Sequence, residues 1–228
     1  NNEIDIFIIG NIDVKQMEKI IADNFNIDSI KHEQLAHIVK QDDFRKEPRV
    51  IKENKNINQS ILILGSKLKD ITEFERKYVL VLYNYILGGS ADSKLFKEVR
   101  EKNSLCYSIS STHSGIANLE FISAGIDKEN YDKAVELIKA EIKNMEDGNF
   151  TEEDINQAKI TFLASLKEIE DTANGIINIY EAHEYLDYDL LEERAKEIEK
   201  VTKEDIINVS KKMYLDTIYL LEGDKKDA

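Results

Sequence analysis

The chain has 228 residues, 42% hydrophobic and 33% charged, the composition of an ordinary globular protein that can bury a core. Its formal net charge of −14 argues against nucleic acid as a partner, because phosphate contacts need clustered Lys and Arg. No run of about 18 apolar residues occurs, so no membrane-spanning helix is predicted. The acidic charge serves solubility or suits basic peptides, and the sequence leaves both interpretations open.

The first elements along the chain form one strand–helix unit. Residues 4–10 are apolar and predict a buried strand. Asp13 and Gln16 have the spacing of a capping box that opens a helix. Such a unit is too small to fold alone. Because the chain begins at Asn1 without an initiator Met, we expect it to be a piece of a longer protein.

Residues 28–57 differ from the rest of the chain. They are polar and weakly periodic, and they contain the single proline, Pro48. This composition predicts a linker, with a short strand at 49–52.

An α+β pattern begins at residue 58. Alternating or apolar runs predict strands, of which two form a hairpin around Gly115, at 60–67, 105–112, 118–126 and 217–222. Capping residues and apolar stripes predict helices from Thr72, at 93–101, at 131–145, from Thr151, at 172–185 and from Thr202 through Met213. The predicted fold is therefore α+β, with an antiparallel sheet and helices packed on one of its faces.

The histidines do not form a zinc motif. His32 and His37 are five residues apart, whereas one face of a helix requires a separation of three or four. Ala36 occupies the position of the second ligand in H-E-x-x-H, and the inverted motif H-x-x-E-H fails there too. His183 has no second histidine nearby, and His113, at a hairpin end, is predicted to face solvent. No metal ligands are therefore predicted in this chain.

Other catalytic motifs are also missing from the sequence. Neither a G-x-S-x-G elbow nor a G-x-x-x-x-G-K-[ST] phosphate loop occurs. Cys106, the single cysteine, excludes an intrachain disulfide and a Cys-based zinc site, and its lone thiol fits a reducing cytoplasm. Since it lies within an alternating strand, we expect it to be a small buried apolar residue.

One block of sequence resembles a known family. Residues 87–107 read L-G-G-S-A-D-S-K-L-F-K-E-V-R-E-K-N-S-L-C-Y, which resembles the signature of the second half of insulinase/pitrilysin-type, mitochondrial processing peptidase-like zinc peptidases. Three further segments resemble the family in order, at 58–59 (N-Q), 147–159 and 201–206. The resemblance covers residues 58–224 and is greatest to a bacterial branch whose members lack the zinc motif and pair with zinc-bearing paralogues.

The resemblance implies a LuxS/processing-peptidase-like metallohydrolase fold and a division into three parts. Residues 1–27 would be the strand–helix tail of a preceding homologous half, 28–57 a linker, and 58–228 the C-terminal insulinase-family domain. A short internal similarity supports two similar halves. Residues 4–13 and 218–224 both have the pattern of an apolar strand that is followed by Gly and an acidic residue.

The resemblance also implies a pair of substrate-binding residues. In the family, an Arg and a Tyr seven residues apart reach from the second half toward the zinc site, and Arg100 and Tyr107 have this separation. Guanidinium and phenol donors can hold a substrate carbonyl and stabilise charge that develops on it. The alternatives are a solvated helix end for Arg100 and strand packing for Tyr107. Ser104 stands where the family more often has Gly, which puts the turn before the strand in question.

Three hypotheses about function follow. The first is a non-catalytic half of a clamshell peptidase, inactive alone, that lends Arg100 and Tyr107 to a zinc site on another domain or subunit and holds an extended peptide against a strand edge. The second is a purely structural or assembly subunit, and the third is an unrelated α+β binding module. For the first, we expect a zinc-bearing homologous half or paralogous subunit and a peptide as partners, a cytoplasmic location, and neither nucleic acid nor membrane.

Overall fold

The structure is a computed structural model that describes residues 5–25 and 39–223. Within these ranges the chain forms a five-stranded sheet with the strand order β1-β5-β2-β4-β3. The strands are β1 Arg49–Lys55, β2 Ser60–Leu68, β3 Cys106–Ser114, β4 Leu119–Ile126 and β5 Met213–Gly223. The predicted hairpin is the β3–β4 pair, at one edge of the sheet.

The sheet is antiparallel except at its other edge. β3, β4, β2 and β5 pair antiparallel, whereas β1 pairs parallel with β5, with Arg49 opposite Thr217. The last strand of the chain lies between β1 and β2, which run in opposite directions, so it must be parallel to one of them. The strand predicted at 49–52 extends to Lys55.

The described helices are α1 Val14–Asn24, α2 Leu80–Leu87, α3 Tyr131–Glu146, α4 Glu152–Glu170, α5 Ala173–Leu186, α6 Leu191–Glu199 and α7 Lys203–Ser210. Two π-helical segments, Glu75–Val79 and Phe96–Lys102, interrupt the regular geometry. Thr151 and Thr202 open α4 and α7, as predicted, and each forms a reciprocal capping box. Within the described ranges, no helix combines the length and the apolar character that crossing a bilayer requires.

One face of the sheet is covered and the other is largely open. Along β2, Leu62, Leu64 and Leu68 are at most 2% exposed, whereas Ile61 beside them is 38% exposed. Successive strand side chains point to opposite faces, so the buried set faces the helices. The core continues into the helices through residues such as Tyr83, Leu87, Ile138, Met145, Phe162 and Ile206. The predicted α+β architecture with helices on one face is confirmed, and we call the uncovered side the open face.

Three sequence predictions were wrong in detail. The described residues 5–10 are not a buried strand, since they pair with no described strand and Ile6 and Ile8 are each 42% exposed. α6 was not predicted, because the segment L-E-E-R-A-K-E-I-E is mostly charged and has few apolar residues. Met213 begins β5 and does not continue the preceding helix.

Candidate functional site

Arg100 lies near the C-terminal end of the π-helical segment Phe96–Lys102. Its main-chain carbonyl accepts the backbone N–H of Ser104 at 3.0 Å, which closes the end of the segment. The guanidinium carbon lies 4.6 Å from the centroid of the Phe96 ring. Among the residues that the structure describes, no carboxylate pairs with Arg100. This exposed cation therefore keeps its N–H donors free for a ligand.

The turn after Arg100 depends on Ser104. Ser104 has a φ of 52°, in the left-handed region that glycine adopts most easily. The next residue, Leu105, donates its N–H to the carbonyl of Val99 at 3.1 Å. A serine is thus held in a backbone conformation that favours glycine, and the turn carries strain there.

Tyr107 lies at an irregularity in the edge strand. The β3–β4 register shifts between Cys106 and Ser108, which leaves Tyr107 as the extra residue of a bulge. Its side chain is 61% exposed, and its phenol donates to the two carboxylate oxygens of Asp127 at 3.3 and 3.2 Å. The sequence interpretation missed Asp127. The predicted hairpin could have revealed it, because a hairpin places the end of its second strand beside the start of its first strand.

Arg100 and Tyr107 lie at the same corner of the sheet. Burial raises the pKa of the Cys106 thiol, and the positive charge of Arg100 partly opposes this rise. Arg100 is therefore within electrostatic range of the first residue of β3, whose neighbour is Tyr107. Cys106 itself is buried, which confirms the prediction of a small buried apolar residue.

The strand that carries Tyr107 is an edge strand. β3 pairs only with β4 among the described strands, so one row of its backbone N–H and C=O groups has no strand partner, although the Ser111 N–H in it donates to the Gly88 carbonyl at 3.1 Å. Such an edge can accept an additional extended chain by main-chain hydrogen bonding. The exposed residues Arg100 and Tyr107 thus lie just before and within the first part of this edge strand.

The histidines that the structure describes lie away from this corner, and His32 and His37 lie outside the described residues. His183 is exposed and donates from Nδ1 to the Tyr188 carbonyl at 2.7 Å. The prediction that His113 faces solvent was wrong, because its Nδ1 is buried and has no partner among the described residues. Within the described ranges no three His, Cys, Asp or Glu side chains form a group that could hold a metal ion, so these residues do not fit a zinc centre.

His113 belongs to a buried polar cluster that the sequence did not reveal. It lies directly opposite Glu120 in the β3–β4 ladder, and Glu120 is only 2% exposed. Both carboxyl oxygens of Glu120 are buried, and the hydroxyl of the nearby Ser111 donates to Asn84 Oδ1 at 2.6 Å. Burial raises the pKa of Glu120 well above its ordinary value and lowers the pKa of His113.

Known proteins with similar sequences are peptidase relatives. The chain is 30% identical, over 226 residues, to the probable inactive metalloprotease YmfF of Bacillus subtilis, covering 97% of this chain and 52% of that protein. It is 26% identical over 164 residues to the uncharacterized zinc protease YmxG of the same species, covering 70% and 40% respectively. The chain thus spans about half the length, or less, of these curated relatives.

Solved structures of similar shape agree with the sequence relatives. A conserved protein from Enterococcus faecalis matches with a TM-score of 0.76 and 28% identity, over 84% of this chain and 45% of that one. The peptidase M16 inactive domain from Pseudomonas fluorescens matches with a TM-score of 0.66 and 20% identity, over 83% and 47%. Residues 1–162 match the family model described as the peptidase M16 inactive domain. This chain therefore belongs to the peptidase M16 family, as one of its inactive domains.

Proposed function

We propose that this chain is the peptide-holding, non-catalytic half of a zinc metallopeptidase assembly. In this role it contributes Arg100 and Tyr107 to a zinc site that another domain or subunit provides. The zinc ligands and the general base come from that partner, and this half is inactive alone. The observations that carry the proposal are an exposed Arg100 without a carboxylate partner among the described residues and an exposed Tyr107, both near the start of the edge strand β3.

The chemistry of these groups supports the proposed role. Peptide hydrolysis places negative charge on the carbonyl oxygen of the scissile bond, and positioned N–H and O–H donors stabilise that charge. Arg100 has no carboxylate partner in the described part of the chain, so its donors need not leave an ion pair to reach a substrate. Rigid elements carry both residues, a π-helical segment and a strand, which limits the entropy lost on binding.

The edge of β3 supplies the second part of the role. An extended peptide that pairs with β3 would pass Tyr107, since the bulge projects this side chain out of the regular strand pattern. Main-chain pairing depends little on peptide sequence, and side-chain pockets then add selectivity. The net charge of −14 agrees with a preference for basic peptides, although solubility alone also accounts for it.

Hydrolysis of a fluorogenic basic peptide by the zinc-bearing M16 paralogue, measured with this chain added, tests the proposal. The variants are Arg100→Ala and Tyr107→Phe, and Lys102→Ala is the matched control, because Lys102 is on the same segment but is ion-paired with Glu98 at 3.0 Å. Removing a donor that acts in the transition state lowers kcat about 100-fold or more. Assembly with the paralogue, measured by size-exclusion chromatography, should not change.

The outcomes separate the proposal from the assembly hypothesis. If Arg100→Ala and Tyr107→Phe abolish the stimulation while assembly and the Lys102→Ala control are unaffected, the chain holds substrate. If both variants stimulate hydrolysis as well as the wild type, the chain is a structural subunit and the proposal is wrong.

A further inference from the structure

The edge of β3 is occupied at one point by the end of α2. The Ser111 N–H donates to the carbonyl of Gly88, the residue that follows α2, at 3.1 Å. Neighbouring strands of a sheet are about 4.8 Å apart, so a backbone acceptor at this distance lies where the next strand would run. Gly88 therefore takes the place of an added strand beside Ser111.

The same hydrogen bond shows which residues of β3 offer main-chain groups at this edge. In an antiparallel pair, residues whose N–H and C=O point away from the partner strand alternate with residues that bond it. The register of β3 with β4 is regular beyond the bulge, so Ile109 and His113 have the same orientation as Ser111. Ile109 is thus the residue between Tyr107 and Ser111 whose N–H and C=O face an added chain.

The end of α2 is held tightly against the strand. The Ser111 hydroxyl donates to the Asn84 side chain at 2.6 Å. The Asn84 carbonyl in turn accepts the N–H groups of Gly88 and Gly89 at 3.0 and 2.7 Å. A Cβ atom added to Gly88 would lie 2.8 Å from the Ser111 nitrogen and 2.9 Å from Cδ1 of the buried Leu95, so the approach requires glycine. A peptide that passed Ser111 would have to break these contacts.

We infer that Gly88 blocks the edge of β3 at Ser111 and confines a bound peptide to the part of the edge that precedes Ser111. This inference rests on the proposed function. One peptide residue pairs with the N–H and C=O of Ile109, and the peptide then ends, or leaves the plane of the sheet, before it reaches Gly88. The ligand class is therefore a short extended segment, at the end of a peptide or just before a bend.

Such a block selects the register of the peptide. Main-chain pairing alone specifies register weakly, and a slip by two residues keeps every side chain on its own face of the sheet. An unblocked edge would therefore allow pairing at Ile109, Ser111 and His113 alike. With Gly88 in place, pairing is limited to Ile109, which is two residues, or about 7 Å, from Tyr107. Gly88 thus acts as a positioning residue for the peptide.

Disulfide trapping locates the bound peptide along β3. The side chains of Ser108 and Thr112 are both exposed, and Gly88 blocks the edge between them. Opposite residues of neighbouring extended chains have Cα atoms about 4.5–5.5 Å apart, within the range that a disulfide bridges. The probes are lysine-rich decapeptides with one cysteine at each position in turn. They are incubated with the assembly of this chain and a zinc-bearing paralogue whose general base is substituted, so that the peptide is not cleaved.

The block predicts different yields at the two positions. Ser108→Cys should trap peptide about 10-fold above the wild-type chain, since paired residues meet at millimolar effective concentration and the free peptide is present at about 100 μM. Thr112→Cys should trap no more than the wild-type chain, whose single thiol, Cys106, is buried. Equal trapping by Thr112→Cys and Ser108→Cys would show that the peptide passes Gly88, and it would overturn the inference.

Gly88→Ala makes the result specific. Its methyl group must push the end of α2 away from β3, so Thr112→Cys combined with Gly88→Ala should trap peptide as well as Ser108→Cys does. Gly65→Ala is the matched control, because its Cβ atom would meet the Phe121 ring at an ordinary 3.6 Å, and Thr112→Cys combined with it should stay untrapped. Melting temperatures check that both variants fold. If Gly88→Ala does not fold, the comparison of Ser108→Cys with Thr112→Cys still decides.

The possible failures are distinguishable. If neither Ser108→Cys nor Thr112→Cys traps peptide while Arg100→Ala still abolishes the stimulation of the paralogue, the peptide does not pair with β3. The inference then fails, and the role of Arg100 stands. If the stimulation also persists in Arg100→Ala and Tyr107→Phe, the proposed function is overturned and the role of Gly88 with it.

Discussion

The phenol of Tyr107 donates to the carboxylate of Asp127, across the open end of the β3–β4 hairpin, at 3.2 and 3.3 Å. Tyr107 is an exposed residue in a bulge, so this bond limits the rotamers that its ring can adopt. Asp127 is thus a positioning residue for Tyr107 in the proposed function.

Asp127→Ala should lower kcat/KM for peptide hydrolysis in the assembly with the zinc-bearing paralogue. The expected loss is roughly 2- to 10-fold, because a net hydrogen bond contributes about 0.5–1.5 kcal/mol. Asp127→Asn keeps an oxygen acceptor for the phenol and should restore part of the activity. Asp132→Ala, on the first turn of α3, is the control. Equal activities of Asp127→Ala and wild type would show that the bond does not position Tyr107.

Ser104→Gly should stabilise the fold. Ser104 is exposed and has a φ of 52°, and a left-handed conformation costs a non-glycine residue roughly 1–2 kcal/mol. Part of this gain is lost because glycine is more flexible in the unfolded chain. The net increase in the free energy of unfolding should be about 0.5–1 kcal/mol. Urea denaturation of the variant and the wild type measures this increase.

Ser110→Gly is the matched control for this substitution. Ser110 is an exposed serine in the regular part of β3, where glycine weakens a strand. The two substitutions should therefore change the free energy of unfolding in opposite directions. A Ser104→Gly protein less stable than the wild type would show that the serine hydroxyl stabilises the turn.

The stability of Glu120→Gln relative to the wild type should increase as the pH rises. Burial raises the pKa of Glu120 well above its ordinary value of 4.5. As the pH rises above 4.5 the unfolded chain loses this proton while the folded protein keeps it, so the free energy of unfolding falls with rising pH until the folded pKa is passed. The amide that Glu120→Gln introduces does not titrate, and the variant should therefore lose less stability than the wild type as the pH rises above 4.5.

Chemical denaturation at a series of pH values tests this difference. Glu136→Gln is the control, since Glu136 is an exposed residue of α3 whose carboxylate pairs with Lys133 at the surface. As a surface substitution, it should change the free energy of unfolding by no more than about 0.5 kcal/mol. A Glu120→Gln curve that runs parallel to the wild type would mean that Glu120 titrates normally in the folded protein.

His113→Gln should reduce the loss of stability that accompanies falling pH. Burial lowers the pKa of His113 below its ordinary value of 6.5. As the pH falls below 6.5 the unfolded chain binds a proton that the buried ring does not, so the wild type loses stability with falling pH. The variant lacks this group and should lose less. A double substitution with Glu120→Gln would report the coupling between the two opposed residues.

Local signals in the sequence predicted much of the fold. Thr151 with Asp154 and the cap residue Thr202 marked two helix starts, because the hydrogen bonds of such caps span only three residues. The hairpin of β3 and β4 followed from two alternating runs on either side of Gly115. The helix starts and the hairpin were therefore predicted correctly, because both depend on residues that are close in sequence.

Features that depend on distant residues were not predictable in the same way. The parallel pairing of β1 with β5 joins strands that lie far apart in the described chain. The apolar run at 4–10 has the pattern of a strand, but its described part, residues 5–10, pairs with no described strand. His113 and Glu120 are polar residues in strands, and only the packing of helices on the sheet decides that Glu120 and the Nδ1 atom of His113 are buried.

The pairing of Arg100 with Tyr107 came from family resemblance, since their spacing alone fits many helix–strand connections. Asp127 could be recognised as a neighbour of Tyr107 only once the strand register was known. Side chains that approach one another across strands leave little trace in a single sequence.

The most direct measurement is the zinc content of this chain, purified alone from zinc-supplemented medium, together with its effect on peptide hydrolysis by the separately purified zinc-bearing paralogue. We expect no stoichiometric zinc on the chain, no hydrolysis by the chain alone, and a stimulation of the paralogue that Arg100→Ala abolishes. Stoichiometric zinc with peptidase activity on this chain alone, or stimulation that persists in Arg100→Ala, would contradict the proposed division of labour.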